Sequence, residues 1–230
     1  MPVLATDPVT ENIRFNDHFL VHRVGTSRES GLSYAKTLGD IVNTTEVRLR
    51  RDVDTYLCGH ELILQHTDHP DVDLIVWHCH VNDTMGGMQI LTDGWQAYLR
   101  LTSRQQNNLC QIALKCPRLH SRLHDCYRPL IDPATTQVFF APWLLPDKLS
   151  SGQRDAVDAF VRISQYCKEV RHEIFLEPGE VLMVNNRRML HGRAALPPSS
   201  NRWLTRYWVR RATASNPCAR TARKGMFRAS

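Results

Sequence analysis

Short runs of β-prone residues, separated by turn residues, dominate the chain, and helical spacing is confined to its middle. The run from Glu46 to Leu57 alternates only in part. ELILQHTD (61–68) is an apolar stretch that closes in polar residues, which predicts a buried strand opening into a loop. DVDLIVWHCH (71–80) concentrates β-branched and aromatic residues and reads as the next strand. Gly86-Gly87 marks a turn, and MQILT follows as a strand. Asp93 is a good N-cap for a helix through Trp95, Tyr98 and Leu99. A second helix is predicted to begin near Ser150 or Ser151, with Ala156, Val157, Phe160, Val161 and Ile163 on its apolar face. EIFLEPGEVLMVNN (173–186) predicts two short strands broken at Pro178-Gly179, and RWLTRYWVRR (202–211) a last strand. Many short strands with helices grouped between them predict a mainly β fold, a sandwich or barrel with inserted helices. A doubly wound sheet would need regular strand–helix alternation, and the chain has none.

Composition narrows the class only a little. The 230 residues fit one domain, 1–230, with 1–37 as a variable N-terminal segment and 212–230 as an irregular basic tail. An apolar share of 42% and a charged share of 23% are those of an ordinary soluble protein. No apolar run is long enough to span a bilayer, so no membrane partner is expected. MPVLATDPVTENIRF lacks a basic start followed by an apolar stretch, which reads as no secretory signal and a cytoplasmic location. The seven cysteines are odd in number and form no Cys-x-x-Cys pair, so free thiols are expected rather than disulfides or a thiolate zinc site.

The formal charge is +6 and the pI is near 9.1, values that would permit nucleic-acid binding. Much of the excess is local, however. From Arg202 onward there are eight basic residues and no acidic one. No basic stripe is interleaved with aromatics of the kind that stacks bases. An anionic small molecule explains the charge equally well, and a nucleic-acid partner is not expected. Oligomeric state leaves no signal in the sequence.

The candidate chemistry lies in the histidines. Two residues one apart on an extended segment point to the same face, so His66-Thr67-Asp68 can offer both end side chains to one ion. A third ligand must come from elsewhere, and His191 is the best candidate. Two imidazoles and a carboxylate on one face leave three open positions, the arrangement of non-haem iron(II) sites. Alone, the spacing is weak evidence in a chain with eleven histidines. His69-Pro70-Asp71 repeats it next door, but Pro70 breaks the extended segment. His78 and His80 flank Cys79 on a β-prone run and read as packed or hydrogen-bonded side chains.

The segment QHTDHPDVDLIVWHCHVNDTMGGMQILTDGWQAYLRL resembles the iron-binding half of the taurine dioxygenase and γ-butyrobetaine hydroxylase superfamily. That pattern runs His-Thr-Asp, a strand with a Leu-His-Cys-like end, Gly-Gly, then Asp-Gly before a helix. LEPGEVLMVNNRRMLHGRAAL resembles the family's Pro-Gly, Asn-x-Arg and Leu-His-Gly-Arg signature, and NRWLTRYWVRR its closing strand. The likeness covers roughly residues 38 to 211, with the long middle weaker than the two ends, and the motifs come in the family's order.

The resemblance implies a double-stranded β-helix, or jelly roll, with His66, Asp68 and His191 as ligands of Fe(II). It implies 2-oxoglutarate as co-substrate and O2 as oxidant, with release of succinate and CO2. Hydroxylation is the default outcome; desaturation and cyclisation use the same centre. Arg202, eleven residues after His191, falls where the family places the arginine that grips the distal carboxylate of 2-oxoglutarate, a pairing suited to a planar guanidinium. Arg206, four further on, matches a position that binds the substrate's sulfonate in taurine dioxygenase. A solvated strand residue and a second contact to the co-substrate are the other readings of Arg206. Gln89 stands where taurine dioxygenase has a threonine whose hydroxyl touches 2-oxoglutarate; an amide can donate the same bond from a longer side chain. A complete carboxylate at Asp68 argues against a halogenase, since those enzymes replace it. The interval from Asp68 to His191 is shorter than in taurine dioxygenase, so substrate identity does not carry over. An amino acid, a sulfonate or a natural-product intermediate is the expected class. A nucleic-acid demethylase with the same iron chemistry and a non-catalytic ligand-binding relative are the alternatives.

Overall fold

The computed structural model describes residues 13–16, 18–50, 57–117 and 126–211. In chain order the elements are β1 (Ile13–Asn16), β2 (Phe19–Arg23), α1 (Arg28–Leu38), β3 (Asp40–Arg48), β4 (Ile63–His66), β5 (Leu74–Val81) and β6 (Gln89–Asp93). The middle of the chain carries α2 (Gly94–Leu99), α3 (Ser103–Cys110), β7 (Ala113–Lys115), β8 (Tyr127–Pro129), β9 (Ile131–Asp132), β10 (Gln137–Val138), a 3-10 turn at Pro142–Leu144 and α4 (Ser151–Tyr166). β11 (Arg171–Ile174), β12 (Glu180–Asn185), β13 (Met189–Arg193) and β14 (Trp203–Arg210) follow.

Two antiparallel sheets face each other. The larger has the order β1-β2-β12-β5-β14-β3, and the smaller β11-β6-β13-β4. Sequence neighbours are mostly not sheet neighbours, as a jelly roll requires. Thus β11 and β12, parted by the Pro178-Gly179 turn, enter different sheets instead of forming a hairpin.

Strand β5 shows why this sequence takes the central place in the larger sheet. Its residues alternate between two apolar environments. Ile75, Trp77 and Cys79 face the core between the sheets, with Leu182, Leu204, Leu91 and Met189. Leu74 and Val76 face outward, under α1, with Ala35, Val181, Tyr207 and Val209. A third apolar cluster holds α2, α3 and α4 against the back of the smaller sheet, through Leu109, Leu130, Phe140, Phe160 and Leu190.

The N-cap expected at Asp93 is formed: its carboxylate accepts from Gln96 N at 3.0 Å. The helix it starts is short, because Thr102 and Gln105 form a capping box that begins α3 at once. α4 begins with another capping box, Ser150 with Gln153, and buries Ala156, Val157 and Phe160. The β-prone run from Glu46 meets the last residues of β3, which starts earlier, at Asp40; residues 51–56 and the basic tail 212–230 lie outside the described residues. No helix among the described residues is long and apolar enough to cross a membrane.

Candidate metal centre

In the ladder between β4 and β13, His66 lies opposite His191. Opposed residues on antiparallel strands project from one face with Cβ atoms about 5 Å apart. Two histidines remote in sequence therefore meet, with ring centroids 4.3 Å apart. Gly192 permits the approach, since a Cβ there would sit 2.5 Å from Ile63 O.

Asp68 completes the group from the loop just past β4. Its carboxylate Oδ1 lies 3.7 Å from His66 Nε2, and its Oδ2 lies 3.7 Å from His191 Nε2. Those separations are too long for hydrogen bonds. They suit donors that each sit about 2 Å from one shared ion. Among the described residues, this is the one group of three or more His, Cys, Asp or Glu side chains with ligand atoms all within 4.8 Å of one another. All three residues are buried.

The protonation states fit a metal site. His66 Nδ1 donates to Leu64 O at 2.7 Å, which places the ring proton there and leaves Nε2 as the lone-pair donor. Burial, then the nearby His66, lowers the pKa of His191 well below the usual value, so its imidazole stays neutral. Burial alone would raise the Asp68 carboxyl, but the Arg206 guanidinium, then His191 and His66, hold it well below the usual carboxylate range.

Two cations come from β14 of the larger sheet and the residue just ahead of it. Arg206 pairs with Trp77 of β5 in the ladder and so shares its inward face. Its Nη1 donates to both Asp68 oxygens, at 3.2 and 3.0 Å. Arg202 lies one residue ahead of β14, only 2% exposed. Its pKa is pulled down to about 10 by burial and then by Arg193. Its Nε is buried and has no hydrogen-bond partner among the described residues. An orphaned buried N–H costs about 1–3 kcal/mol, so the geometry favours an anion beside it. Gln89 opens β6 in the smaller sheet. Gln89, Arg202, Arg206, His66, His191 and Trp77 line one narrow cavity of about 20 Å³.

The Gly86-Gly87 turn has a clear purpose. Gly87 has φ +75°, and a Cβ there would lie 2.5 Å from Leu196 Cδ2 and 2.8 Å from Arg202 Cδ. A side chain would block the path of Arg202.

Three further residues shape the site. Trp208 Nε1 donates to Asp68 Oδ2 at 2.7 Å; it is two residues after Arg206 on the same strand face, so strand parity is the signal for it. Asn186, in the Asn-x-Arg signature, accepts from Asp68 N at 2.8 Å and donates to His69 O and Val72 O at 3.1 and 2.9 Å. Trp143, half-exposed, meets the His66 ring edge-on at 4.7 Å. No motif in the sequence marks Trp143. His78 and His80 stay apart from the group: their Nε2 atoms meet Gly25 O and Thr205 Oγ1, each at 2.8 Å.

The sequence matches the taurine catabolism dioxygenase TauD, TfdA family over residues 20–208. Solved structures share the fold at low identity. An asparagine oxygenase in complex with Fe(II), 2S,3S-3-hydroxyasparagine and succinate has a TM-score of 0.67 and 16% identity, over 84% of this chain and 74% of that one. The non-heme iron oxygenase OrfP, in complex with Fe and alpha-ketoglutaric acid, has a TM-score of 0.65 and 16% identity over the same shares, 84% and 74%. The PvcB protein from Pseudomonas aeruginosa has a TM-score of 0.63 and 17% identity, over 84% and 75%.

Proposed function

The chain belongs to the taurine catabolism dioxygenase TauD, TfdA family, and on that premise we propose an Fe(II)- and 2-oxoglutarate-dependent oxygenase acting on a small anionic or zwitterionic molecule. The observation that carries this reading is the buried cluster of two histidines and one carboxylate, with a buried arginine whose Nε has no partner among the described residues lining the cavity that both histidines line. His66, Asp68 and His191 hold the iron, and Arg202 pairs with the distal carboxylate of 2-oxoglutarate. When bound, iron, 2-oxoglutarate and O2 supply the oxidation: the co-substrate is decarboxylated to succinate and CO2 as a substrate C–H bond is hydroxylated.

The protein's own groups bind, orient and exclude water. His66 is held in its ligating tautomer by Leu64 O. Trp208 and Arg206 hold the Asp68 carboxylate in place. Trp77 and Trp143 pack edge-on against the two imidazoles and limit their rotation. Arg206 lines the cavity while its Nη1 is held by Asp68. With iron held by His66, Asp68 and His191, the Asp68 charge would be shared with the ion, and Arg206 would also be available to face an anionic substrate or co-substrate.

Three buried arginines, Arg193, Arg202 and Arg206, line the cavity near a single buried carboxylate, which favours a substrate that brings negative charge. The asparagine oxygenase structure with 2S,3S-3-hydroxyasparagine bound points to an amino acid as the first class to try. Free cysteines suit a reducing, cytoplasmic setting, and the whole of 1–230 is read as one oxygenase domain.

Succinate formation on adding Fe(II) and 2-oxoglutarate in air tests the proposal. Succinate should appear, rise with the right substrate and vanish with a chelator. No turnover and no iron binding would support a ligand-binding relative instead. Shifts of the iron(II)–2-oxoglutarate absorption on adding candidate amino acids and sulfonates would identify the substrate.

A further inference from the structure

Gln89 is 5% exposed and reaches from β6 toward the residues just before β14. An amide's orientation is set by its hydrogen-bond partners. In the orientation that satisfies both neighbours, its nitrogen donates to Gly192 O at 3.1 Å and its oxygen accepts from Arg202 Nη2 at 3.0 Å. Gly192 directly follows His191, so this one amide links the backbone beside a candidate ligand to the guanidinium.

We propose that Gln89 is a positioning residue that aims Arg202 at the distal carboxylate of the co-substrate, and does not itself contact that carboxylate. The inference rests on the co-substrate reading above. Three features support it. The amide presents its oxygen, not its nitrogen, to the arginine, and an oxygen facing a carboxylate would be repelled. The stem of Arg202 is fenced at Gly87, where a Cβ would meet Cδ at 2.8 Å and Nε at 3.0 Å. The tip of the side chain still needs a fixed point, and Gln89 provides it. Finally, an amide is a neutral acceptor: it orients a cation without neutralising it, whereas a carboxylate at 89 would take the charge that the ligand needs. A threonine hydroxyl sits nearer its own backbone and would leave Nη2 without this acceptor.

The test is calorimetric titration of 2-oxoglutarate into the full chain loaded with manganese(II), which binds ligand without turnover. Gln89→Leu should weaken 2-oxoglutarate binding about tenfold, equivalent to about 1.4 kcal/mol. Gln89→Glu should weaken it more, about a hundredfold. Binding of 2-oxobutyrate, which lacks the distal carboxylate, should change less than twofold in both variants, a result that misfolding would not give. In an Arg202→Lys background Gln89→Leu should have no further effect. An equal loss in that background, or an equal loss for 2-oxobutyrate, would overturn the positioning role. Unchanged 2-oxoglutarate binding in Gln89→Leu would also overturn it. If Arg202→Lys itself binds 2-oxoglutarate as the wild type does, the co-substrate reading of Arg202 fails first, and the role of Gln89 with it.

Discussion

His66-Thr67-Asp68 and His69-Pro70-Asp71 stand end to end with the same outer residues, yet the fold uses them in opposite ways. The first continues a paired strand. Thr67 N donates to Phe140 O at 2.7 Å, and Phe140 N donates to Thr67 Oγ1 at 3.0 Å. Those bonds keep the backbone on course past the end of β4, so His66 and Asp68 stay on one face. In the second, Pro70 has no N–H to pair, and Val72 N donates to His69 O at 3.0 Å, closing a turn. The His69 ring is then held at both nitrogens: Nδ1 accepts from Asp71 N at 3.1 Å, and Nε2 donates to Pro117 O at 2.9 Å. A ring held at both nitrogens has no lone pair to offer a metal. Asp71 faces Arg128 at 3.9 Å instead. Ligand spacing acts only where the backbone remains extended, and Asn186, bonded to Asp68 N and His69 O, marks the boundary.

The largest expected effect breaks the comparison directly. Asp68→Ala should abolish iron-dependent succinate formation and iron binding, while Asp71→Ala keeps both. Wild-type turnover in Asp68→Ala would sink the site assignment and point back to the second tripeptide.

Removal of the boundary should cost stability. Asn186→Ala leaves buried Asp68 N and Val72 O without their partner and takes one of two donors from His69 O, so urea unfolding should show a loss of about 2–4 kcal/mol. A loss below about 1 kcal/mol would mean that the two tripeptides hold their paths unaided.

A smaller change tests how the first carboxylate is held. Trp208→Phe removes the donor to Asp68 Oδ2 but keeps the ring beside Arg206. Iron affinity should fall about tenfold, in the range seen when a residue that orients a ligand is lost. An unchanged affinity would assign the orienting role to Arg206 alone.

The smallest effects belong to the second tripeptide. His69→Ala should leave iron affinity within about twofold and lower stability by about 1–2 kcal/mol, the scale of its two net hydrogen bonds. Arg128→Ala, which breaks an exposed contact to Asp71, should change stability by less than about 0.5 kcal/mol.

Much of this was legible in the chain. Apolar runs at β4, β5, β6 and β14, the cap at Asp93 and the face of α4 follow from local chemistry, and the helix and strand residues agree with it. His66 with Asp68 could be read as a pair because strand parity is a local property. The short helix α3 and the small strands β7 to β10 lacked periodic patterns long enough to announce them. Trp143 could not be found, because its place beside His66 depends on Phe140 pairing with Thr67 across a long stretch of sequence.

The amino-acid order alone therefore determined which segments extend, where proline ends an extended path, and which residue types could bind iron and carboxylate. Partnership was decided only by the tertiary structure. His191 meets His66 through the register of β13 on β4, and Arg206 meets Asp68 because the larger sheet packs over the smaller. Gln89 turned its oxygen to Arg202 because both sit at strand ends facing one cavity. Register and sheet packing are sums over many distant contacts, and no local stretch of sequence contains them.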